Sequence, residues 1–215
     1  MKSTSLFQLG GAAILGAIIL YSIGNLMYFL GGQPDGPTAS GVWISIVGDT
    51  LLVLGLGALY ARQAQRAGVL GLAGYVLPVL ATMFYMGNYA VTLGLVAGVI
   101  SAEQIAQVPA YTTALAIMPW LWMAGLIVLG ISIYRAQVLP KYAGALLVLV
   151  AVLQQLTGVS ALILPIFAVL SFVAWAWLGW SLLRGNRVVA GGGGPGLLFF
   201  FCYSLGVFIV RCPFL

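Results

Sequence analysis

The sequence predicts an all-α polytopic membrane bundle of six transmembrane helices, with a cytoplasmic N-terminus and a short apolar C-terminal tail. Three observations carry that expectation. Hydrophobic residues make up 63% of the 215 and charged residues only 5%, whereas a soluble domain carries about 25% charge. Long apolar runs of about 20 residues, the length needed to cross a bilayer, follow one another along the chain. Outside the C-terminal tail, which holds Arg211, the basic residues fall in alternate connections. Lys2 precedes the first run, Arg62 and Arg66 lie between the second and third, Arg135 and Lys141 between the fourth and fifth, and Arg184 and Arg187 after the sixth. The intervening connections carry only Asp35 and Glu103. This is the positive-inside distribution, and it puts both ends of the unit in the cytoplasm.

The elements follow in order. Helix 1 is expected at about 6–30, too long a run for a secretory signal, so it reads as a retained span. Gly31, Pro34, Asp35, Gly36 and Pro37 form a turn cluster before helix 2, at about 41–61. Helix 3 is expected at about 69–98 and helix 4 at about 112–134. Helices 5 and 6 follow at about 142–158 and 161–183, joined by a link around Thr157 to Ser160 so short that they must be antiparallel neighbours. Residues 1–187 thus form one six-helix domain. A Gly-rich linker at 188–196 leads to an apolar tail at 197–215. The tail's apolar stretch, Leu197 to Val210, is too short for a span and reads as an interfacial, re-entrant or added end.

Pro78, Pro119 and Pro165 are expected inside helices, as kinks set by packing or as hinges. Gly94 with Gly98, and Gly55 with Gly57 and Ala58, offer small-residue faces for close helix approach. Tyr60, Tyr134, Tyr142, Trp177, Trp180, Trp43 and Tyr111 fall near expected membrane edges, as aromatic belts do. Trp175 joins the last group of tryptophans, which reads as belt or packing rather than a cofactor cage.

Composition also excludes chemistry. The chain has no histidine, which removes histidine-ligated metal or haem, a Ser-His-Asp triad and a histidine relay. Of its three acids only Asp49 lies within a span, so a paired-carboxylate mechanism lacks its second member. Lys2 and Lys141 lie at membrane edges, not where a Schiff base would need them. The net charge of +5 sits at helix ends and meets lipid headgroups, not nucleic acid. The two cysteines, Cys202 and Cys212, are both in the tail. No cofactor is implied. The expected partners are the bilayer and a small polar ligand or proton, and an oligomer is compatible with the glycine faces.

The candidate site comprises the polar groups at membrane depth. Asp49 is about 8 residues into helix 2, roughly 12 Å deep at 1.5 Å per residue. Asn25, Asn88, Gln154 and Gln155 also fall in the expected outer half. Ser45 is one turn from Asp49, Ser22 is near Asn25, and Tyr85 and Thr92 flank Asn88 at helical spacing. An ionisable group facing lipid is costly, so these faces are expected to turn inward and share a polar site. The expected role is non-enzymatic binding or transport of a small polar solute, cation or proton. The alternative is a structural subunit whose polar groups serve as interhelical bonds.

The stretch Tyr134-Arg135-Ala136-Gln137-Val138-Leu139-Pro140-Lys141-Tyr142-Ala143-Gly144 resembles a pattern in a family of bacterial multi-helix membrane proteins with no assigned activity. There, a basic helix end is followed by Leu-Pro-basic-aromatic-x-Gly at the start of the next helix. The resemblance implies a six-helix layout in a bacterial cytoplasmic membrane. It implies no site residues.

Overall fold

A computed structural model describes residues 3–30, 38–157 and 163–184, with side chains in the first helix from 5 to 24. The linker, the tail and the cysteines lie outside the described residues, as do Asp35, Ser160, Lys2 and Arg187. Among the described residues every regular element is helical: α1 (Ser3–Leu30), α2 (Ala39–Val96), α3 (Ala102–Ala106), α4 (Pro109–Ala136), α5 (Lys141–Leu156) and α6 (Ile163–Arg184). Four of these, α1, α2, α4 and α6, are long and apolar enough to cross a membrane. The apolar α5 has 16 residues, about 24 Å of helix, shorter than the roughly 30 Å hydrocarbon core.

Helix α2 runs 58 residues, which would extend about 87 Å if straight. It does not run straight. Gly68 adopts φ 55°, ψ −144°, a region open to glycine alone. The backbone reverses there, and the arms 39–67 and 69–96 fold onto each other. Tyr60 of the first arm stacks on Tyr75 of the second, with ring centroids 5.3 Å apart and planes at 13°. That pairing sets an antiparallel register centred near Gly68. The backbone stays helical through Pro78, and the break in α2 falls at the glycine.

The helices close into a ring. α1 packs on α2 and α6, α2 on α4, α4 on α5, and α5 on α6. Glycines make the closest contacts. A Cβ on Gly10 would lie 2.0 Å from the Ala58 Cβ, and one on Gly11 would lie 2.6 Å from the Gly179 carbonyl oxygen. Across α4 and α5, Gly130 and Gly144 each face the other's carbonyl oxygen. Small residues let backbones approach this closely, and the packing gained is dispersion rather than hydrophobic burial if lipid is the surrounding medium. The core between the helices is Ile14, Leu56, Leu59, Leu126, Leu129, Ile133, Leu147, Leu178 and Leu182.

The resemblance stretch has a packing reason. Leu139 is buried, Pro140 precedes the first residue of α5, and Gly144 admits α4. Gln137 ends α4 in the left-handed region at φ 52°. The Gly94–Gly98 spacing has a different role from the expected helix contact. Gly98 sits beyond the end of α2 at φ 68°, and the Val99 amide donates to the Gly94 carbonyl at 3.0 Å. It terminates the helix, as a left-handed glycine does. Helix α3 lies in the connection that follows, started by a reciprocal cap between Ser101 and Gln104. Pro165 is in the first described turn of α6. Trp175 is buried, while Trp177 and Trp180 are exposed.

Candidate functional site

The antiparallel register of the α2 arms brings Asp49 against Tyr85 and Tyr89. Asp49 follows from the first arm's inward stripe, and the two tyrosines, four residues apart, share one face of the second arm. The Asp49 side chain is 3% exposed. The Tyr89 hydroxyl adjoins its carboxyl, and Ser45 adjoins the Tyr89 hydroxyl. Tyr85 lies within electrostatic range of Asp49 and interacts with Gln154 of α5. Its ring meets Trp122 of α4 edge-on, with centroids 6.3 Å apart. The cluster therefore draws on both α2 arms, α4 and α5.

The carboxyl is incompletely satisfied. Oδ2 of Asp49 and Oε1 of Gln154 have no hydrogen-bond partner among the described residues. A buried polar atom without a partner costs about 1–3 kcal/mol, so this arrangement lowers stability relative to a fully paired one. The groups around the carboxyl are phenols, a hydroxyl and an amide. Such a set can accept and release a proton or coordinate a small cation through neutral oxygens plus one carboxylate. It sets hydroxyls beside a carboxyl, with no histidine, lysine or second acid joining them among the described residues.

Most of the hydroxyls named from the sequence bond within their own helix. Ser22 donates to the Ile18 carbonyl, Ser45 to Gly41 and Thr92 to Asn88, each at 3.0 Å. Asn88 turns toward α4, where its Oδ1 accepts a hydrogen bond from the Tyr111 hydroxyl. Asn88 and Tyr111 line a cleft of about 220 Å³ with Met83, Phe84, Leu115 and Met118. Gln155 donates from Nε2 to the Pro119 carbonyl at 3.3 Å, a bond between α5 and α4. The structure thus joins Asp49, Ser45, Tyr85 and Gln154. It gives Asn88 and Gln155 to helix–helix contacts. Asn25 lies in α1, and its side chain falls outside the described residues.

Two groups escaped the sequence reading. Tyr89 completes the Asp49 cluster, and its signal was its spacing of four from Tyr85. Gln63 is 1% exposed with neither side-chain atom hydrogen-bonded among the described residues. It occurs in a run with Arg62, Gln65 and Arg66 that reads as a polar connection.

Compared with known proteins, the chain matches no family model, no curated protein and no solved structure.

Proposed function

We propose that this chain is a six-crossing protein of a bacterial cytoplasmic membrane that binds and passes a proton or small cation at Asp49. The arms of α2 count as two crossings, with Gly68 at the cytoplasmic turn beside Arg62 and Arg66. The N-terminus and the Arg184 end share that side, as the distribution of basic residues requires. Aromatic–cation contacts at those ends support the placement: Arg62 lies 5.5 Å from the Phe7 ring centroid and Arg184 lies 4.8 Å from that of Trp180.

One observation carries the functional reading: a carboxyl buried inside the bundle with one oxygen left without a hydrogen-bond partner among the described residues. An asparagine would pack there without the cost of an ionisable group, and an acid at membrane depth marks a site by default. The groups beside it are the hydroxyls of Tyr89 and Ser45, and no histidine, lysine or second acid joins them among the described residues, which supports carriage rather than catalysis.

A structural subunit is the second reading. The bonds of Gln155 to Pro119 and Tyr111 to Asn88 favour it, because they join helices.

The test is flux into liposomes holding the purified chain, followed with a trapped pH dye and, separately, with sodium and potassium dyes. Wild type should carry one of these ions, and Asp49→Asn should abolish the flux. Equal flux by wild type and Asp49→Asn would overturn the site. Silence of wild type toward every ion would favour the structural subunit.

A further inference from the structure

The first arm of α2 presents one inward stripe with a pattern of its own. Asp49, Leu52, Leu56, Leu59 and Gln63 recur every three or four residues, and all are at most 4% exposed. The stripe is polar at both ends and leucine between. Asp49 and Gln63 are 14 residues apart, about 21 Å along a helix.

Gln63 does not stand alone. The Tyr60–Tyr75 pairing puts Gln63 level with 71–72 of the opposite arm. At that level Gly71 lies against α4, where a Cβ would come 3.3 Å from the Ser132 hydroxyl oxygen. Ser132 is 1% exposed and has no hydrogen-bond partner among the described residues. Two buried polar side chains from different helices, each unpartnered among the described residues, therefore share one level, near the turn that carries Arg62 and Arg66. Buried amides and hydroxyls are almost always hydrogen-bonded, to protein or to ordered water. A polar site of this kind suits water.

We infer that Gln63 and Ser132 form a second, hydrated station of the same path, and that the transported species is a proton. Leu52, Leu56 and Leu59 are the barrier between this station and Asp49. The choice of a proton follows from charge. Arg62, Arg66 and Arg135 lie at this end of their helices, and neutral Gln63 and Ser132 offer a dehydrated metal cation no compensating carboxylate. A proton relayed along hydrogen-bonded water needs only donors and acceptors that orient that water. The inference rests on the Asp49 reading and adds its inner half.

The experiment uses the full chain in liposomes with a trapped pH dye and the membrane potential clamped by potassium and valinomycin. Gln63→Leu and Ser132→Ala should each slow proton flux about tenfold, the scale of one lost hydrogen-bonding group. Leu56→Ala, which thins the barrier, should raise it. Melting temperatures at or above wild type for the first two variants show that the loss is not misfolding. Wild-type flux in both Gln63→Leu and Ser132→Ala overturns the second station. If Asp49→Asn still abolishes flux in that case, the Asp49 site stands. Flux of sodium or potassium without protons overturns the proton assignment and likewise leaves the Asp49 site intact.

Discussion

Tyr89 and Asp49 form the pair on which the site's energetics turn. The Tyr89 hydroxyl, a potential donor, adjoins a carboxyl whose Oδ2 is unpartnered among the described residues. Tyr89→Phe removes that donor and should destabilise the protein by about 1–3 kcal/mol. In an Asp49→Leu background the same change should cost far less, because no carboxyl is left to satisfy. A double-mutant cycle by thermal unfolding measures the coupling, expected at about 0.5–3 kcal/mol. A coupling near zero would mean that the two side chains are neighbours without interaction. At this scale the sequence showed the acid within a long apolar run. It did not show Tyr89, because position along each helix was legible while the register between the two arms was not. Asn88 illustrates the same limit. It lies next to Tyr89 in sequence, yet one residue is a turn of about 100° on a helix, which is enough to give it to α4.

Glycine placement decides which helices approach. A Cβ on Gly10 has no room against Ala58, so Gly10→Ala should cost about 1–3 kcal/mol as α1 and α2 separate. Gly57 is the control. A Cβ there would stand 3.9 Å from the Tyr75 hydroxyl oxygen, an ordinary contact, and Gly57→Ala should stay within about 0.5 kcal/mol or gain slightly from helix propensity. Gly68 tests the turn. Nothing lies within 4 Å of its missing Cβ, so a cost of about 1–3 kcal/mol for Gly68→Ala would come from backbone conformation alone. Thermal unfolding of the three variants in one detergent checks the ranking. The sequence showed Gly55 and Ala58 as a smooth face, and α1 uses it. Gly94 and Gly98 also had a helix-contact spacing but end a helix, since spacing alone does not distinguish a seam from a terminator. The cap of α3 was legible as Ser-x-x-Gln but lay in a segment read only as a connection.

The described helices form a ring whose core is rich in leucine and whose buried polar groups gather at few levels. Membrane character was legible from composition, because too few charges exist to coat a water-facing surface. The ring order was not, because apolar faces on all sides of a helix leave no stripe to assign partners. The proposed crossings make a direct prediction. With Cys202 and Cys212 replaced by serine, a cysteine at Ser40 and one at Gln65, both exposed, should react with an impermeant maleimide from opposite sides of the membrane. Labelling from the same side would contradict a crossing by the first arm of α2.

The central claim is that Asp49 is kept for what it carries and not for how it packs. Thermal unfolding of wild type and Asp49→Asn in detergent tests this most directly. Asparagine should leave the melting temperature unchanged or raise it by a few degrees, about 1 kcal/mol or more for a protein of this size, because a buried ionisable group has been replaced by a neutral isostere. A fall of several degrees would show that the carboxyl holds the helices together, and would contradict the account.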